Sequence, residues 1–218
     1  MDHAFTSPDH LAAMLHRPDA PAILDLRTPQ DAATDPTRLP AARRATLAHL
    51  TERPIPDGPA VVYCQKGGKI SQLGAALLRR QGVMATALTG GHLAWAAKGL
   101  PVQSLDPIAD RWVMRLDPDW AELATLWTLR RLVDPDVPVL PVARDQRDAA
   151  ATVWAARRLP ATPVALAEAT GLTHPILSRL DAPAAMDAFV RGRLARTGDP
   201  EAALDLIDDW LAARDVAA

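Results

Sequence analysis

The stretch Val61-Val62-Tyr63-Cys64-Gln65-Lys66-Gly67-Gly68-Lys69-Ile70-Ser71-Gln72 decides how the chain is read. With Ala60, its first three residues are apolar, β-branched or aromatic, which is the composition of a buried strand. The strand ends on Cys64. A short loop with two glycines follows, and from Ile70 to Arg80 leucine and alanine recur at helical spacing, with Gly82 as a C-terminal stop. A tight loop between a strand end and a helix start turns consecutive N–H groups inward and adds the positive end of the helix dipole. Together with Lys66 and Lys69, this geometry favours a thiolate at Cys64 and an anionic substrate or product on its sulfur. Gly67 and Gly68 let the backbone curl close to the sulfur. The plain alternative is a small buried hydrophobe at a strand end. Against it stands the lysine distribution: only three of the 24 basic residues are lysines (Lys66, Lys69 and Lys98), and two of them lie within five residues of Cys64.

Outward from this loop, residues 1–105 alternate short apolar runs with helical patterns. Ser7-Pro8 starts a helix with an apolar face of Leu11, Met14 and Leu15. Ala22–Leu26 and Val83–Leu88 read as buried strands, Arg43–Leu50 as a short helix, and Leu93–Ala97 as a helix stopped by Gly99 and Pro101. Such alternation predicts a parallel sheet covered by helices, with the site at the carboxyl ends of its strands.

Residues 106–218 read as mainly helical. Trp112–Leu116 and Val137–Val142 are strand-like. Asp117-Pro118-Asp119 predicts a helix start, and further helices are predicted over 145–158, 163–170, 183–196 and 200–214. Five of the six tryptophans lie here, and Trp112, Trp120, Trp127 and Trp154 read as core and domain-interface residues. Residues 1–105 carry 11 basic and 8 acidic residues (+3), and the remainder 13 and 18 (−5), so a boundary is expected near 104–110.

The 218 residues suit one large domain or two small ones. One cysteine excludes an internal disulfide and multi-cysteine metal sites. A net charge of −2 argues against nucleic acid as a partner, and the paired arginines 130–131 and 157–158 read as solvated helix faces. No apolar run of membrane length occurs, so no membrane contact is expected. Met1–Ser7, with Asp2 and His3, lacks the features of a signal peptide, so the expected location is the cytoplasm. His3, His10, His16 and His49 have no ligand spacing and read as surface residues, while His92 reads as a helix-start residue near the strand ends.

Several motifs carry a resemblance. Asp25-Leu26-Arg27, the six-residue loop Cys64–Lys69, and Gly90-Gly91-His92-Leu93-Ala94-Trp95 with Gly99-Leu100-Pro101-Val102 resemble, in order, the signatures of the rhodanese-like domain. The resemblance implies an α/β domain over residues 1–105 with a parallel sheet flanked by helices. It implies sulfane-sulfur transfer through a persulfide on Cys64, without a cofactor or metal. Gln65, Lys66, Gly67, Gly68 and Lys69 would bind a small anionic sulfur donor such as thiosulfate, and the acceptor would be a thiol or cyanide-like nucleophile. Asp25 and Arg27 would be structural supports, and Ser71 would bond within the loop or cap the helix. Lys69 stands where the family often has arginine, and Ile70 where serine or threonine is frequent. Phosphatase loops of related build need arginine six positions after the cysteine. That position is Ile70, so the loop is one residue too short for phosphatase chemistry.

The segment Arg111–Arg115 followed by Leu123–Pro135 resembles part of the C-terminal domain of chromate-resistance regulatory proteins, without their downstream cysteines. Two readings therefore stand beside the enzyme: a chromate-responsive regulator or binding protein, and a non-catalytic rhodanese-like interaction module. The sequence sets no oligomeric state.

Overall fold

Ala60–Tyr63 is the middle strand of a five-stranded parallel sheet in the structure, a computed structural model describing residues 4–52, 58–106 and 109–216. The chain divides into two compact units, Met1–Asp106 and Pro107–Ala218.

The first unit runs β1 (Phe5–Thr6), α1 (Pro8–Met14), β2 (Ala22–Asp25), α2 (Pro29–Thr34), β3 (Thr37–Arg38), β4 (Arg43–Arg44), α3 (His49–Glu52), β5 (Ala60–Tyr63), α4 (Lys69–Arg80), β6 (Ala85–Leu88), α5 (Gly91–Ala97) and β7 (Gln103–Ser104). The sheet order is β1-β6-β5-β2-β4, and every pairing is parallel. All four residues of β5 are buried, as a strand covered on both faces requires. Leu24, Leu26, Leu50, Val62, Ala75, Leu78 and Ala87 form one core cluster between the sheet and α4. The α/β class with a parallel sheet flanked by helices is thus the observed one. β3 and β7 form a separate antiparallel pair.

Two local readings need correction. Arg43–Arg44 is an edge strand rather than the start of a helix, and the helix begins only at His49. Pairing in register with Leu24 and Asp25, and an Arg44–Asp25 ion pair at 3.3 Å, hold it there. The third predicted strand begins at Ala85, because Val83 is used in the turn after α4, where its N–H bonds Leu78 O.

The second unit has β8 (Trp112–Arg115), α6 (Trp120–Thr128), a π-helical turn at Leu129–Val133, β9 (Val139–Val142), α7 (Arg147–Val153), β10 (Arg157–Arg158), α8 (Pro163–Thr170), α9 (Met186–Thr197) and α10 (Asp205–Val216). It is helical around a three-stranded parallel sheet, β10-β8-β9. The N-cap of α6 is Asp119, not Asp117. Its carboxylate accepts from Glu122 N while Glu122 accepts from Asp119 N, a full capping box. The helix predicted to reach Arg158 ends at Val153, and residues 157–158 pair with Trp112 and Val113. Its terminator is Ala155, held at φ +50 without glycine or proline to announce it. Arg157 and Arg158 are exposed, but the pair Arg130–Arg131 is not merely solvated. Arg130 bonds Glu201 at 2.6 Å and Val137 O at 2.6 Å, and Arg131 bonds Asp208 at 2.8 Å. Trp112, Trp120 and Trp127 are buried. No helix among the described residues is long and apolar enough to cross a membrane.

Candidate active site

Cys64 follows the last residue of β5, at the carboxyl edge of the parallel sheet, and is 6% exposed. Its Sγ lies 3.3 Å from Ser71 Oγ, and that hydroxyl lies 3.1 Å from Gly68 O. The thiol donates to Ser71, which donates onward to the loop. On ionisation the Ser71 hydroxyl can turn its proton to the sulfur. Backbone N–H groups of Ser71, Gly68 and Lys66 also serve the sulfur. Burial pushes the Cys64 thiol up, but the Ser71 hydroxyl and these three amides outweigh it and hold the thiol below its ordinary value. The lysine charges are not among the leading causes of the shift: Lys66 and Lys69 are exposed on the rim. Ser71, the first turn's buried hydroxyl, matters more to the sulfur than either lysine.

The loop is held from behind by α5. His92 N donates to Cys64 O at 3.0 Å and Leu93 N to Gln65 O at 3.0 Å. This closeness depends on two glycines. Gly91 has φ +59, and a Cβ there would lie 2.1 Å from Cys64 O and 2.4 Å from Gly67 N. Gly67 has φ +63, and its Cβ would lie 2.6 Å from Gly90 N. A Cβ at Gly68 would meet nothing, so that position is used for its N–H rather than for close approach. Gln72 Nε2 adds a bond to Gly67 O at 3.4 Å. The part played by Gly91 was missed by sequence reasoning, although the Gly90-Gly91 pair was the visible signal of it.

Beneath the loop, Asp25 and Arg27 have fully buried side chains and meet at 2.8 Å. Arg27 also donates to Asp35 O at 3.1 Å and Thr37 O at 2.6 Å, tying the segment after α2 to the sheet. Burial pushes the Asp25 carboxyl up, but Arg27 and Arg44 hold it below the usual range. The Arg27 guanidinium stands 5.8 Å from the Tyr63 ring centre, and Tyr63 stacks on His92 at 6.2 Å. His92 is wholly buried, not merely a helix-start residue, with Nδ1 3.7 Å from Asp35 and Nε2 3.5 Å from Thr37 Oγ1. Burial and the Arg27 charge depress its pKa despite Asp35. His10 and His49 are exposed, His16 is half-buried, and His3 lies outside the described residues. No group of three His, Cys, Asp or Glu side chains that could hold a metal ion occurs among the described residues.

The family of the rhodanese-like domain matches residues 7–98. Residues 7–98 form a rhodanese-like domain. Solved structures similar to the chain around this rhodanese-like domain include a rhodanese-related protein from Thermoplasma volcanium. It is 20% identical over 48% of this chain and 100% of that one, with a TM-score of 0.41. A rhodanese homolog from Thermus thermophilus is 30% identical over 41% and 98%, with a TM-score of 0.34. The 3-mercaptopyruvate sulfurtransferase from Leishmania major is 20% identical over 48% and 37%, with a TM-score of 0.38. No curated protein matches the chain.

Proposed function

We propose that the rhodanese-like domain is a sulfurtransferase that carries sulfane sulfur on Cys64. The observation that carries this reading is the set of polar groups around one buried sulfur: the Ser71 hydroxyl at 3.3 Å, which accepts from the thiol and can donate to a thiolate, and the N–H groups of Ser71, Gly68 and Lys66. Such a set stabilises negative charge on the sulfur before reaction and on the outer sulfur after it.

In the loading step the Cys64 thiolate attacks the outer sulfur of an anionic donor of the thiosulfate class. The S–S bond of the donor breaks, and its electron pair leaves with sulfite. The new persulfide is anionic, and the loop amides hold it. In the second step an external nucleophile such as cyanide or a thiolate attacks the outer sulfur, and the broken bond's pair returns to Cys64 as thiolate. The chain has no second cysteine, so no internal thiol can take the sulfur. Lys66 and Lys69 concentrate the anionic donor at the mouth. A reducing compartment such as the cytoplasm suits a carrier that must keep its thiol. The test is thiocyanate production from thiosulfate and cyanide, with intact mass after donor treatment. Wild type should gain one sulfur atom and turn over, and Cys64→Ala should do neither. Turnover by Cys64→Ala would overturn the reading.

A further inference from the structure

Three aliphatic side chains stand half-exposed around the Cys64 loop: Ile70 at 40%, Leu73 at 51% and Leu93 at 45%. Ile70 and Leu73 are three apart on the first turns of α4, so they share one helix face. Leu93 sits on the other side of the loop, where its N–H is bonded to Gln65 O. Lone surface leucines are ordinary, but three bordering the same six-residue loop are a local concentration. A small anionic donor needs N–H groups and charge, which the loop itself supplies, and gains nothing from an aliphatic border. The same border carries exposed Lys66 and Lys69. An apolar centre with a cationic margin is the complement of a protein surface with an apolar centre and an acidic margin.

We propose that the acceptor is a thiol on another protein, set among apolar and acidic side chains, which docks on Ile70, Leu73 and Leu93 with its acidic margin against Lys66 and Lys69. This rests on the persulfide reading of Cys64. In the transfer, the acceptor thiolate forms a bond to the outer sulfur of the Cys64 persulfide. The Cys64–sulfur bond breaks, its electron pair stays on Cys64 as thiolate, and the outer sulfur leaves as the acceptor's persulfide anion. No outside oxidant or reductant is consumed.

The test uses the full chain loaded with sulfane sulfur and three acceptors: cyanide, a peptide with one cysteine between leucines and glutamates, and its counterpart with lysines for glutamates. The acidic peptide should have kcat/KM about tenfold above the basic one, with the gap closing as salt rises. Leu73→Ser/Leu93→Ser should lower kcat/KM for the acidic peptide about tenfold and leave cyanide turnover within about twofold. Equal rates for the two peptides would overturn the proposal even if the double variant fails to fold. So would a double variant that loses nothing towards the acidic peptide. If the chain dimerises and the double variant is monomeric by sedimentation, the face is a self-interface and the proposal falls. Failure of Cys64 to load at all would instead overturn the persulfide reading beneath it.

Discussion

Cys64 and Ser71 are seven positions apart, yet they form the chemical unit of the site. The hydroxyl and three amides lower the thiol, so thiolate reactivity should rise with pH and level off below the pH at which an ordinary cysteine would. Ser71→Ala should shift the pH profile of Cys64 alkylation to the alkaline side and slow alkylation several-fold at pH 7. Lys66→Gln/Lys69→Gln should behave oppositely: the alkylation profile should barely move, while KM for an anionic donor should rise several-fold at low salt. Measuring both variants separates charge at the mouth from hydrogen bonding at the sulfur. Gly91→Ala would force a Cβ to 2.1 Å from Cys64 O at φ +59. A destabilisation above about 2 kcal/mol, seen by urea denaturation, is expected.

The strands and helices draw on different sources of order. β2 and β5 are apolar enough to be seen from composition, but β4 is two arginines and exists only through pairing with β2. The Asp25–Arg27 pair is buried beneath this edge, and Arg27→Ala would leave the buried Asp25 carboxylate only its Arg44 ion pair at 3.3 Å. A loss of about 3 kcal/mol is expected from denaturant unfolding, the low end for a broken buried pair because Arg44 remains. In the second unit, α7 is stopped by Ala155 in the left-handed region, where a side chain costs about 1 kcal/mol or more. Ala155 is exposed, so Ala155→Gly should relieve that cost with nothing else to disturb, and the thermal midpoint should rise.

Two compact units, 1–106 and 107–218, make up the molecule. The rhodanese-like residues 7–98 and every group around Cys64 belong to the first. Residues 1–106 expressed alone should therefore fold cooperatively and load sulfur at a rate within a few-fold of the whole chain, read by circular dichroism and intact mass. A fragment that folds but does not load would mean that the second unit supplies part of the chemistry.

The strand, glycine loop and helix around Cys64 were legible because each is a local property: apolar β-branched residues, small residues at a tight turn, helical periodicity. The parallel sheet followed from their alternation, and the lone cysteine by itself ruled out internal resolution of a persulfide. Tertiary structure decided what depended on residues far apart in the chain. It turned the lysines from tuners of the sulfur into rim charges, because contact geometry, not sequence distance, sets which donors reach Sγ. It put Gly91 against Cys64 O across 27 positions and made a strand of Arg157–Arg158, because backbone pairing overrides local propensity. Local pattern specifies which backbone shapes are cheap, and only the packed chain specifies which atoms meet.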